Sequence, residues 1–435
     1  MTILNDTVLE SNKYLKLNFD GGDLSSDAGL LLIKEFACKL GFVNILKKEF
    51  KTNDSASFRF HKDDENLWQV IYQILGAYFE DDCADELTND PILTAVLAKN
   101  ALASQPTLSR FFNRLDNTTL NQFYDLMRRF RKVVYSIKKP EMILLDLDST
   151  LLNTYGHQEG EGFNFHYQDH GYHPLVCYDG ITGDLLKIQL RNGTDYSSTG
   201  VMDFLQPLLD EFGNDYPDIP LLLRGDSGFT KPELYHQCET NGVSYAIRLK
   251  ENGNLRKLAS HIDEQLTEIT KDDMVSYAVC YGEFQYRAGS WEYPRRVVCK
   301  VEKPTEQLIH MYTFIVTNMD SEPEKVIRFY SKLPLLKSLA FHRHRFLPIS
   351  FARNCKRTIT AYFILSYICF SVKSKDSRIL AASWYIYSFY RSEWFFITLF
   401  QSIVIFILKH KKYIVKFKNT PPNPMAYSQL HMSVV

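Results

Sequence analysis

The chain has 435 residues, 45% hydrophobic and 23% charged, the balance of a folded globular protein rather than a disordered or fibrous one. A formal net charge of −1 says nothing in favour of a partner chosen by bulk charge, and the eight cysteines form no CxxC pair, which disfavours zinc ribbons and thioredoxin-like motifs. The start, MTILNDTVLE, has no basic segment and no apolar run, so no secretory leader is expected and the scattered cysteines read as reduced thiols in a cytoplasm.

Residues 1–20 look extended. From LSSDAGLLLIKEFACKLG the spacing predicts a helix, with Ser25 or Ser26 able to cap it and Leu32, Phe36 and Leu40 recurring four apart. ENLWQVIYQILGAYF, DPILTAVLAKNAL and SQPTLSRFFNRL keep the helical period, the last with Pro106 near its first turn. TLNQFYDLMRRFRKVVYSIKK predicts a long amphipathic helix ending in a basic cluster. Residues 1–139 are therefore expected to form a helical N-terminal domain.

At Pro140 the period changes. MILLDLDST is strand-like, and HPLVCYDG and LLKIQLRNG are strands joined by the turn sequence ITGD. STGVMDFLQPLLDEFG reads as a helix, IPLLLRGDSGF as a buried strand, KPELYHQCETNG as a helix closed by Gly242, and VSYAIRLK as a strand. Residues from about 270 to 317 alternate as a β insertion or extension, and PEKVIRFYSK starts a helix. Three strands, helix, strand, helix, strand is the order of an α/β layer with a mixed sheet.

Aspartates sit where apolar residues belong: Asp146 and Asp148 interrupt the first of these strands, and Asp226 ends the fourth. In open α/β sheets ligands bind at strand ends. Two carboxylates from neighbouring strands make a hard oxygen site suited to Mg2+ or Mn2+. Two such ions about 3.5–4 Å apart activate an attacking oxygen and stabilise a leaving oxygen in phosphodiester chemistry. DST and GDSG also serve as strand exits and helix caps, so a purely structural role stays open. Residues 146 and 148 face the same side of a strand, and periodicity does not choose between them. The position nearer the strand end favours Asp148 as the ligand, with Asp146 supporting it or bonding a neighbouring segment.

These residues resemble bacterial insertion-sequence transposases of the DDE type, which have a ribonuclease H-like catalytic core. The resemblance covers roughly residues 17–330. It rests on FDGGDLSSDAGLLLI, DDCADELTNDPIL and LASQPTLSRF in the helical part. In the core it rests on LDLDST, YGHQ, GYHPLVCYDGITGDLL, LRNGT and LLRGDSGF. It implies a ribonuclease H-like mixed sheet with helices on both faces over residues 140–332, and DNA cleavage at element ends followed by strand transfer. Asp148 and Asp226 would be the first and second acids, holding two Mg2+ or Mn2+ ions. The implied partners are double-stranded DNA, at the element's terminal repeats and at the target, and a second copy of the chain on that DNA in the bacterial nucleoid. His157 and Gln158, in the GHQ that follows the first acid, and Tyr330 are expected to support the ligands. His157 reads equally well as a polar turn residue.

The family's third acid is a glutamate in the pattern Tyr, two residues, Arg, three residues, Glu. Tyr330 fits, but Leu333 and Lys337 occupy the Arg and Glu positions, and Pro334 interrupts the helix. Glu322 and Glu324 precede Tyr330 and match no family position. Here the composition also breaks. Beyond Tyr330 there are two acids, Asp376 and Glu393, against 16 lysines and arginines, so the first 330 residues carry about −15 and the rest about +14. The atypical tail, residues 333–435, is expected to be read out of frame from a decayed element. A catalytically inactive DNA-binding remnant is accordingly the competing reading.

For DNA contact the candidates are Arg110 and Arg114, outward on a recognition-type helix, and the cluster Arg128, Arg129, Arg131, Lys132, Lys138 and Lys139. Lys250, after its strand, could reach a phosphate; the cluster and Lys250 also read as solvated charges, and the helix of Arg110 and Arg114 as one that only packs the N-terminal part. Residues 394–408, WFFITLFQSIVIFIL, are apolar but short of the roughly 20 residues a spanning helix needs, so a membrane anchor is a minor alternative.

Overall fold

The computed structural model describes residues 27–331, apart from 28, 57, 77, 79–81, 155–157, 273–274 and 308, and four short strands outside that span. The chain divides into two compact units, one of Met1–Phe130 with Leu365–Val435 and one of Arg131–Ile364.

The first unit opens with a hairpin, β1 (Thr7–Leu9) and β2 (Asn12–Asn18). Helices follow: α1 (Gly29–Lys39), α2 (Phe42–Glu49), α3 (Asp63–Leu75), α4 (Cys83–Glu86), α5 (Pro91–Leu97), α6 (Gln105–Asn113) and the long α7 (Asn117–Ile137), which continues into the second unit. Their starts have chemical causes. Asp90 accepts from the Ile92 and Leu93 amides, with Pro91 supplying a preset φ in the first turn of α5. Asp116 and Thr119 exchange side-chain and backbone hydrogen bonds at the head of α7. The helices bury Leu67, Ile71, Tyr72, Leu93, Phe111 and Phe123.

In the second unit the first strand, β3 (Ile143–Ser149), leads into a small three-stranded sheet of β4 (Leu152–Asn153), β5 (Gly162–Asn164) and β6 (Asp169–Tyr172). Then come β7 (Leu175–Asp179), β8 (Leu185–Gln189), α8 (Val201–Asp215), β9 (Leu221–Gly225), α9 (Pro232–Thr240) and β10 (Ser244–Leu249). Helices α10 (Gly253–Leu258) and α11 (Ser260–Ile269) precede a meander of β11 (Ala278–Tyr286), β12 (Arg295–Lys303) and β13 (Met311–Thr317), and α12 (Pro323–Ser331) follows. The main sheet has eight strands in the order β11-β12-β13-β10-β9-β3-β7-β8. β7 is antiparallel to β3 and β8 to β7, while β9 runs parallel to β3 and β10 parallel to β9. Three antiparallel strands continued by two parallel ones make a ribonuclease H-like core. The expected β insertion lies in this same sheet, with β13 antiparallel to β10 at its edge.

The pleat sorts side chains between two faces. Ile143, Leu145 and Leu147 of β3, Leu223 of β9 and Tyr245 and Ile247 of β10 face α8 and α9, burying Phe204, Leu208, Phe212, Leu234 and Tyr235. The opposite face carries Ala246, Val298 and Ile315 under Val326 and Ile327 of α12. The even-numbered residues of β3 and β9 belong to that second face, and among them are the charged ones. Farther along the chain, β14 (Ile414–Lys416) runs parallel to β2 and β15 (His431–Ser433) pairs with β14.

Candidate active site

The register of the parallel pair β3/β9 sets Asp146 opposite Arg224. Both are buried, each 4% exposed, and the guanidinium grips the carboxylate at two points, Nε to Oδ1 at 2.9 Å and Nη2 to Oδ2 at 2.5 Å. Nη1 of Arg224 also donates to the Tyr330 carbonyl, 3.3 Å away, in the last turn of α12. Asp146 thus bonds to a neighbouring strand, the second of the two roles its position allowed.

Two residues further along the same strands stand Asp148 and Asp226. Asp226 follows β9 directly with extended backbone (φ −80°, ψ −173°), and continuing the register two residues past its last pair, Asp146–Arg224, brings it beside Asp148 on strands about 4.8 Å apart. Both acids are half-buried at the open end of the sheet. Asp148 Oδ1 accepts from the Ser149 amide and Asp226 Oδ1 from the Gly228 amide, at 2.9 and 2.8 Å. The second bond explains the GDSG sequence. A Cβ on residue 228 would come within 2.9 Å of Ser197 Cβ and 3.0 Å of Asp226 Oδ1, so the turn under Asp226 closes around glycine.

Two tyrosines border the acids. Tyr167 donates to the Ser149 carbonyl at 3.2 Å, and its phenol pKa is raised by burial and by the negative charges of Asp148 and Asp226. Tyr330 is pushed up to about 12, by burial first and then by Asp226. A loop after β8 completes this edge. Arg191 is buried, donating from Nε to the His173 carbonyl and from Nη1 to the carbonyls of Tyr196, Ser197 and Thr199. Burial lowers its pKa to about 10.

Carboxylate oxygens are the donor type that Mg2+ and Mn2+ prefer, and both acids lie near enough to Tyr167 to raise its phenol pKa. In kind, the residues fit such ions. In number they are few, because no group of three or more His, Cys, Asp or Glu suited to a metal occurs among the described residues.

A family model, transposase DDE domain group 1, matches residues 8–332. The chain belongs to this family. The match stops at the composition break that follows Tyr330. Among solved structures, the cryo-EM structure of the piggyBac transposase synaptic complex with hairpin DNA is similar at 12% identity and a TM-score of 0.41, over 82% of this chain and 76% of that one. No curated protein matches.

The remaining residues singled out in this transposase fall into three groups. His157 lies outside the described residues, as do Leu333, Lys337 and the 394–408 run; among the described residues no helix is long and apolar enough to cross a membrane. Gln158 is half-buried with its Oε1 unpartnered among the described residues. The cations divide by exposure. Arg110, Arg129, Lys132, Lys138, Lys139 and Lys250 are exposed, with Arg129 3.4 Å from Glu49 and Lys132 3.0 Å from Asp215, and Arg128 is half-buried.

Two cations differ from expectation. Arg114 turns inward, 2.8 Å from Asp63, with Thr52 and Asp54 beside it, because α6 ends against that acidic loop. Arg131 is 8% exposed, bonded twice to Glu211 and lying over Phe212, because it stands four residues before the buried Tyr135. Sequence reading missed Arg224 and Tyr167. The arginine two residues before Asp226 was the available signal for the first.

Proposed function

We propose that this transposase cleaves and transfers DNA strands at the ends of an insertion sequence, with Asp148 and Asp226 as the acids that hold divalent metal. The carrying observation is the register that sets two half-buried aspartates level on adjacent parallel strands. When bound, Mg2+ or Mn2+ supplies an activated oxygen nucleophile and stabilises the leaving oxygen. The chain's own groups do the rest. Asp148 and Asp226 orient the ions, and the Asp146–Arg224 pair keeps their two strands in register. Tyr167, tied to the Ser149 carbonyl, borders the carboxylates.

The substrate is double-stranded DNA, met by the helical N-terminal part, the exposed cations Arg110, Arg129, Lys132, Lys138, Lys139 and Lys250 and the half-buried Arg128, with a second copy joining at the paired ends. Free thiols at Cys38, Cys83, Cys177, Cys238, Cys280 and Cys299 suit a reducing bacterial cytoplasm. A second reading, a remnant that binds DNA without cutting it, has its own support in the sequence, where Leu333 and Lys337 stand at the family's Arg and Glu positions. The test is nicking of supercoiled plasmid carrying the element ends, with Mn2+. Cleavage abolished by Asp148→Ala supports the enzyme. A gel shift of the same DNA without cleavage favours the remnant.

A further inference from the structure

The row that holds the two acids extends one strand further. β10 is parallel to β9, with Ala246 opposite Arg224 and Ile247 opposite Gly225. One step on, Arg248 stands level with Asp226, as Asp226 stands level with Asp148. The pleat puts all three on one face. One pleat below, Ala246 is covered by Val326 and Ile327 of α12, but Arg248 lies past that cover and is exposed.

Its guanidinium makes no hydrogen bond or ion pair among the described residues, unlike Arg131, Arg191 and Arg224 on the same unit. Asp226, the nearest carboxylate along the row, turns Oδ1 to the Gly228 amide. Arg248 still contributes to the field here, since its charge acts on the Tyr330 phenol against that of Asp226. A solvated strand-end arginine needs no special row. This one continues the row of acids on their own face, with its planar fork of donors uncommitted among the described residues.

We propose that Arg248 holds a phosphate of the DNA strand lying across Asp148 and Asp226. The assignment rests on reading this site as a DNA-cleaving core. Two carboxylates repel a phosphodiester, and cations bound to them reverse that repulsion. An arginine one strand over offers a bidentate, charge-assisted contact to the same backbone. Its contribution is therefore coupled to the metal, which sets it apart from cations elsewhere on the surface.

The experiment measures binding of the full chain to a fluorescent duplex of about 30 base pairs by anisotropy, from about 50 to 200 mM salt, with and without Mn2+. Arg248→Ala is expected to weaken binding about tenfold and to lower the slope of log affinity on log salt by about 0.9, one phosphate contact. It should also shrink the gain in affinity that Mn2+ gives the wild type. Arg248→Lys should restore the slope, and the melting temperature should not move. An unchanged slope in Arg248→Ala, with wild-type binding intact, overturns this assignment alone. So does a lowered slope with an unchanged Mn2+ gain, which would put Arg248 on the DNA but away from the acids. Absence of DNA binding by the wild type overturns both this assignment and the reading beneath it.

Discussion

Asp146→Ala and Asp148→Asn should separate the two aspartates of β3 by their physics. Asp146 and Arg224 are each 4% exposed, and Arg224 has further committed Nη1 to the end of α12. Removing the carboxylate leaves a buried guanidinium with one carbonyl for a partner. Breaking such a pair from one side costs about 3–5 kcal/mol. For a unit of about 200 residues each kcal/mol lowers the melting temperature by roughly 2–4 °C, so a fall of about 6–20 °C is expected. Asp148 is different. It is half-buried and stands beside another carboxylate, so loss of its charge relieves a like-charge opposition while the asparagine oxygen can still accept from the Ser149 amide. Asp148→Asn should change stability by less than about 1 kcal/mol. Replacing both members of the buried pair, Asp146→Leu with Arg224→Met, removes both charges and should recover most of the loss. Thermal melts and urea titrations of the full chain, followed by circular dichroism, read all three. Equal destabilisation by the two single changes, or no recovery in the double, would refute the division into a structural and a site aspartate.

Four further outcomes are expected. Arg131→Ala should cost about 3 kcal/mol, since it strands the nearly buried Glu211, whereas Arg110→Ala should leave the melting temperature alone and lower the salt slope of DNA binding; the reverse pattern would undo the assignment of these cations. His173, held by burial below its ordinary pKa of 6.5, binds its proton more readily unfolded, so its contribution is complete above that value and fades as pH falls through it; the urea midpoint should drop less on acidification from about pH 7.5 to 5.5 in His173→Gln than in the wild type. Gly171→Ala should unseat the small sheet, because the added Cβ would lie 2.1 Å from the Leu152 carbonyl oxygen, and hydrogen exchange should show lost protection in β4 and β6. Reading the encoding DNA beyond residue 332 in another frame should give Arg and Glu three and seven residues after Tyr330; if neither frame does, the out-of-frame origin of the tail fails.

The elements of the sheet were legible because each is a short apolar run bounded by turn residues, and the order of strands and helices left few topologies. The small sheet was not, since β4, β5 and β6 span two to four residues, too short for alternation to register. Asp148 and Asp226 could be named as a pair. Choosing between Asp146 and Asp148 needed the partner of Asp146, an arginine 78 residues away whose importance depends on strand register. The misread cations share a cause. Arg114 and Arg131 were counted by charge, but a helix face is decided by spacing, and Arg131 lies one turn before the buried Tyr135.

The two rows on one sheet face also explain why the site tolerates its own charge. The lower row, Asp146 with Arg224, is buried and sums to zero, so it ties β3 to β9 and to α12 without adding net field to what lies above. The upper row carries two negatives and one positive at the half-open edge, an arrangement poorly suited to folding alone. Had Arg224 paired with Asp226 instead, the upper row would be neutralised and no cation would be wanted there. The register prevents this by setting each arginine beside a specific neighbour: Arg224 one row too low for Asp226, Arg248 level with it but turned to solvent. A charge inversion tests the logic. Exchanging the buried pair, Asp146→Arg with Arg224→Asp, keeps that row neutral but moves the cation from β9 to β3 and breaks the hydrogen bond to Tyr330. Stability should fall by no more than the single Asp146→Ala change costs, whereas Mn2+ affinity should weaken, because α12 is then no longer tied to the strand that bears Asp226. Unchanged Mn2+ affinity would mean that the two rows act independently.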